Sequence, residues 1–241
     1  MVKFFRRIRR KLLTEGNLQR YGLYAMGEIM LVVVGILIAF QINAWSDSSK
    51  SRKKEKQHLI NLRNEIGQSV IRMDEALAFQ NLTLDHIENI VEHVDNDWPY
   101  SVSLDTSFQL YQYFAIPELS LTTYETIKSL GINAISSDDL RLSLTKLYEE
   151  DFDFLANSIK ETERSFYQNV LTGFHVKHLR ETSYLGIAKP NDYEALKKNQ
   201  EYINILFKLK GLRMFTTNAL ASTRNKASDV VGLLDKRLED F

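Results

Sequence analysis

The sequence predicts an all-α fold: an N-terminal transmembrane helix followed by a soluble antiparallel helical bundle with long helices and a short-helix insertion. Three observations predict it. Residues 21–40 form an apolar run of membrane-spanning length. Beyond it, apolar residues recur mostly at intervals of three, four and seven, the spacing of helices that bury one face. Only 10 glycines and 3 prolines occur among 241 residues, too few for the turns that all-β chains need about every 8 to 12 residues.

The N-terminal element is the run YGLYAMGEIMLVVVGILIAF, in which Glu28 is the only charge. A helix of that length spans about 30 Å, the thickness of the hydrocarbon layer. A buried core helix would keep a polar stripe, whereas Ile29 to Phe40 is apolar on every face. A cleaved secretory signal needs small residues at its cleavage site, and the QINAW that follows puts Ile42 where one is required. An uncleaved anchor fits better. The expected organisation is a basic amphipathic cytoplasmic segment over 1–20, a transmembrane helix over 21–45 and a soluble helical-bundle domain over 46–241.

Charge supports this division. Residues 1–20 carry seven basic groups against Glu15, and the chain beyond residue 56 carries 19 basic and 27 acidic groups. Arg6, Arg7, Arg9 and Arg10 lie largely off the face formed by Phe4, Phe5, Ile8 and Leu12. That pattern suits a helix on an anionic membrane surface, or a topology signal alone. Basic residues flank both ends of the apolar run, and the larger N-terminal cluster places the N-terminus in the cytoplasm and the large domain in the periplasm. Tyr21 and Trp45 are the expected aromatic interface anchors. Within the span, Glu28, Gly35 and Ala39 fall within about 40° of one another at 100° per residue. Gly35 and Ala39 form a small-xxx-small pair. This face is a candidate for membrane-helix packing, with Glu28 protonated or paired across it. Alternatively, Glu28 reaches the headgroups.

A long helix over Lys50 to Asp95 follows from the apolar series Leu59, Leu62, Ile66, Val70, Met73, Leu77, Leu84, Ile87, Val91 and Val94, a heptad-like, coiled-coil spacing. Asn96 to Ser103 is a turn around Pro99, and a short aromatic-rich helix is expected near Asp105 to Ala115. Thr122 or Thr123 is positioned to cap a helix ending at Leu130, before Gly131. Ser136 or Ser137 caps the next, with Asp138 and Asp139 favouring its dipole, and helical spacing continues to Leu179. Gly186 to Asn191 reads as a loop, and Asp192 to Phe241 as a short helix and then a long one.

The run FRRIRRKLLTEGNLQRYGLYAMGEIMLVVVGILIAFQINAW resembles the N-terminal signature of a widespread family of uncharacterised, single-pass bacterial membrane proteins. In that family a basic FFRxIR start leads into YAxGEIxLVVIGILIAxQINxW, and Glu28, Gly35, Gln41, Asn43 and Trp45 are among the positions that match. The segment TTYETIKSLGINAISSDDLRLSLTKLYE is a looser echo. The resemblance implies a helical fold and a Gram-negative envelope setting, namely the bacterial inner membrane. It implies no activity.

Chemical signals are sparse. The absence of cysteine removes thiol catalysis and cysteine-ligated metals. His175 and His178 could present two imidazoles to a metal, but nothing nearby completes a ligand set, and ordinary histidines are the expected reading, as for His86 and His93. Glu149, Glu150, Asp151 and Asp153 read as a solvated face. Phe108, Tyr111, Tyr113 and Phe114 could line a ligand pocket or pack between short helices. No phosphate loop, nucleophile elbow or zinc-protease helix occurs. No cofactor, metal or catalytic residue is therefore expected. The acidic domain argues against nucleic acid. The expectation is a non-enzymatic envelope protein serving interaction or assembly, with the lipid bilayer, an unknown protein partner and a homodimer through the membrane helix as its contacts. A ligand-binding sensory module is the alternative.

Overall fold

The computed structural model describes residues 18–182 and 186–241, with the boundary between two compact units falling between Lys54 and Glu55. The first helix, α1, runs Leu18–Asp95 over 78 residues and contains the apolar run. It is long and apolar enough to cross a membrane, and none of its most apolar window is buried. A soluble core helix of that composition would be covered. The basic segment 1–17, with Arg6, Arg7, Arg9 and Arg10, lies outside the described residues, as does the side chain of Tyr21.

In the second unit, α1 is followed by α2 (Leu104–Leu110), α3 (Thr122–Leu130), a 3-10 turn at Ile132–Ala134, and a long helical run over 138–178. The run comprises α4 (Asp138–Lys146), α5 (Lys160–Phe166) and α6 (Thr172–His178), joined through π-helical segments at Leu147–Phe152, Phe154–Ile159 and Tyr167–Leu171. Strands β1 (Leu179–Glu181) and β2 (Ala188–Pro190), then α7 (Tyr193–Lys197) and α8 (Gln200–Glu239), complete the chain.

Side-chain pairs fix the directions. Arg63, Asp74 and Glu88 of α1 meet Asp235, Arg224 and Lys210 of α8, so α8 runs antiparallel to α1. Glu55 instead accepts from Ser136, and Glu65 from Tyr148, so the second long helix runs parallel to α1. The antiparallel expectation thus holds for α8 and fails for the first pair. The reason is the connection: residues 96–137 climb back along the bundle, placing α2 against its far end and α3 against its near end before the second long helix begins. The heptad-like stripe of α1 is covered by the chain's own helices, with Leu59, Leu62, Ile66 and Met73 fully buried.

Local chemistry explains most boundaries. Ser137 Oγ accepts from the Leu140 N–H and caps α4. Neither Thr122 nor Thr123 caps α3. Its free Thr123 N–H donates instead to Glu65 Oε2 at 2.9 Å, a cap supplied by another helix. Gly131 ends α3 with φ 99°, a backbone conformation that costs glycine nothing. α2 stops at Leu110, earlier than expected, where the Gln112 amide turns back onto the Gln109 carbonyl.

The π segments answer a spacing problem. Leu155, Ile159, Glu163 and Leu171 are all buried, at intervals that are multiples of four. In a 3.6-residue helix each step of four would rotate about 40° off the buried face. A π turn takes up one extra residue and cancels that drift. The antiparallel pairing of β1 with β2 departs from the expected loop over Gly186 to Asn191, a small exception in a fold that is otherwise helical as expected. Three-residue strands show too little alternation to read, and Pro190 is tolerated because a two-stranded sheet consists only of edges.

Two apolar cores result. One gathers Leu59, Leu62, Ile66, Met73, Tyr124, Phe152 and Leu234, the other Ile87, Phe108, Tyr111, Phe174, Tyr202 and Leu206. Between them each long helix contributes polar side chains, all essentially unexposed: Gln80 and Thr83 from α1, Glu163 from α5, Arg213 and Thr216 from α8.

Candidate functional site

Two places stand out, the exposed apolar face of α1 and the polar layer inside the bundle. On α1, Gly35 and Ala39 are exposed, Glu28 is half-buried and Trp45 is exposed. A side chain built onto Gly35 would meet nothing within 4 Å. No other part of the described chain covers this face.

The polar layer is centred on Glu163. Its Oε1 accepts from Arg213 Nη1 at 2.8 Å and from Thr216 Oγ1 at 2.6 Å. Arg213 is fully buried, and its Nε and Nη2 have no hydrogen-bond partner among the described residues. Burial pushes the Arg213 guanidinium below its ordinary value while the Glu163 charge opposes that shift. Gln80 donates to the Ala115 carbonyl at 2.9 Å, tying the layer to the connection. The Phe114 ring lies 5.8 Å from the Arg213 guanidinium carbon, in cation-π range.

Phe114 also lines a cleft of about 310 Å³ with Gln112, Tyr113, Arg164, Tyr167 and Gln168. The four predicted aromatic residues therefore divide. Phe108 and Tyr111 belong to the core, and Tyr113 and Phe114 form part of the cleft wall.

The remaining candidates disperse. His175 is buried against Tyr111, whereas His178 stacks on Phe174 at 4.3 Å, so the two imidazoles face different neighbours. His86 contacts Ser107 at 3.0 Å, and His93 contacts the Asn89 carbonyl at 2.8 Å. Glu149 takes Lys128 and Tyr124, Asp151 takes Lys226, and Asp153 takes Asn157. No group of three or more potential metal ligands occurs among the described residues. Glu65, which the sequence did not single out, accepts from Ser120, Tyr148 and the Thr123 backbone and joins three elements.

His175 makes stability depend on pH. Its Nε2 lies 3.1 Å from Glu181 Oε1, within ion-pair reach but off the N–H axis, so the contact is not an aligned hydrogen bond. Burial pushes the imidazole below its ordinary value, with Glu181 opposing. His86 shifts the same way, also through burial. The folded chain thus binds fewer protons than the unfolded one below about pH 6.5, the ordinary histidine value. Stability from this source is complete above that pH and is lost as pH falls toward the lower folded value. The Tm of the full-length protein should fall between about pH 7.5 and 5, and His175→Gln should flatten part of that fall. An unchanged pH profile in the variant would contradict this assignment.

No curated protein and no solved structure matches the chain. Residues 28–166 match a family described as "Family of unknown function (DUF6090)". The match begins at Glu28 and runs through the connection to the end of α5. It includes Gly35, Ala39 and Glu163, and it stops short of Arg213. On that match the chain belongs to the DUF6090 family of unknown function.

Proposed function

We propose that this protein is a single-pass component of the bacterial cell envelope, held in the inner membrane by the apolar part of α1. Its N-terminus is cytoplasmic and its helical domain periplasmic. Its role is non-enzymatic: it assembles with itself through the membrane helix and presents the acidic bundle to a protein partner. The observation that carries this reading is the contrast between the two units. The bundle closes its heptad stripe with its own helices, whereas the apolar run of α1 has none of its most apolar window buried.

Water is a poor solvent for such a surface, because exposed apolar patches larger than a few hundred Å² are rare on soluble monomers. Lipid covers most of it, and a second copy covers the small-residue face. Gly35 and Ala39 permit close backbone approach, and Glu28 shares their face. The full-length protein should behave as a dimer by light scattering in mild detergent. A monomer that also recovers no partner in crosslinked pull-downs would overturn the assembly role. In spheroplasts added protease should cleave the bundle, and protection would reverse the orientation.

A further inference from the structure

We infer that the cleft between residues 112–114 and the junction of α5 with the Tyr167–Leu171 segment binds a small carboxylate with a flat or branched apolar body. Its carboxylate rests on Arg164 and its body on Tyr113, Phe114 and Tyr167. Volume is the first argument. At about 310 Å³ the cleft reaches the lower end of the range in which ligand pockets fall. Its walls are three aromatic rings, two amides and one cation, the mixture of apolar surface and a few orienting polar groups that such pockets use.

Charge gives the sign of the ligand. Arg164 is exposed and makes no hydrogen bond or ion pair among the described residues. Glu118, whose carboxyl also feels the Arg164 charge, is held chiefly by Lys160. Glu181, behind Gln112, receives the Gln112 amide at 3.2 Å and lies beside His175. Glu118 and Glu181 thus each have a closer partner, and the Arg164 guanidinium closes no ion pair with either, which favours an anion. A single guanidinium without a cluster of backbone N–H groups suits a monoanionic carboxylate better than a phosphate.

Position supplies the third argument. Tyr167 and Gln168 open the π-helical segment Tyr167–Leu171, and such segments are frequent at functional sites. Arg164 directly follows Glu163 of the buried polar layer. Phe114 joins the two sites, since it forms a cleft wall and stands over Arg213. Arg213 keeps two buried N–H groups unpartnered among the described residues. A ligand against Phe114 therefore touches the ring that covers the Arg213–Glu163 pair.

The test uses the full-length protein in lipid nanodiscs and ligand-observed NMR with benzoate, phenylacetate, 4-hydroxyphenylacetate and indole-3-acetate, each paired with its neutral alcohol. At least one acid should bind saturably at one site, about tenfold or more tighter than its alcohol. Arg164→Gln should reduce that acid to the level of the alcohol with Tm unchanged, while Lys208→Gln, which removes a cation on α8, should leave it unaffected. Equal binding of acids and alcohols, an unaffected Arg164→Gln variant, or no saturable binding by any of the four acids would overturn the inference. The result is independent of the assembly reading, because cleft binding and oligomeric state are measured separately.

Discussion

Arg213→Ala is expected to destabilise the helical domain by about 3–5 kcal/mol, the cost of removing one partner from a buried ion pair. The substitution leaves the Glu163 carboxylate, itself only 1 % exposed, with Thr216 as its remaining partner and no counter-charge. Glu163→Ala should cost a similar amount, because it leaves the Arg213 guanidinium buried and uncompensated. Replacing both, as Glu163→Leu with Arg213→Met, should recover most of the loss and could exceed the natural protein, since apolar substitutes for buried pairs are often neutral or stabilising by about 1–4 kcal/mol. Denaturant unfolding followed by circular dichroism measures all three. Equal losses in the single and double variants would show that packing, and not the uncompensated charge, dominates the layer.

Phe152→Ala should also cost about 3–5 kcal/mol, as large-to-small changes in a closed core do. Phe152 is 1 % exposed and meets the Tyr148 ring edge-on at 5.1 Å. Tyr148 in turn stacks on Tyr124 and donates to Glu65, so the cavity opens beside the contact that ties α1 to α3. Phe207→Ala is the matched control. That ring is half exposed, and its loss should change stability by no more than about 0.5 kcal/mol. Similar losses at both positions would mean that the first core is not closed as described.

Much of the fold is legible in the sequence because helices announce themselves locally. The apolar series of α1, the Ser137 cap, the stop at Gly131 and the split of the last segment into α7 and α8 all follow from residues within a few positions of one another. What escapes depends on distance. The parallel course of α1 and the second long helix rests on contacts such as Glu55 with Ser136, 81 positions apart. The cap of α3 comes from Glu65, 58 positions away.

The polar layer left a trace that could have been followed. The series of buried apolar residues pauses in each long helix, between Leu77 and Leu84, between Ile159 and Phe166, and between Leu209 and Leu220. Exposed or half-buried apolar residues such as Leu82 and Phe215 fall within two of these intervals. Single pauses read as surface variation. Only the tertiary register shows that the three pauses meet at one level and bring Glu163 to Arg213. The cleft was half legible: Tyr113 and Phe114 stood out as aromatic residues, but Arg164 and Tyr167 resemble any exposed helical positions until the connection packs beside them.

The most direct test of the assembly account is a scan of single cysteines over residues 27–40 in native membranes, since the natural chain contains none. The account predicts disulfide-linked dimers whose yield rises and falls with a helical period, with maxima at positions 28, 35 and 39. Gly35→Leu should suppress the crosslinks at the other two positions. A flat crosslinking profile, or maxima on the opposite face, would contradict it.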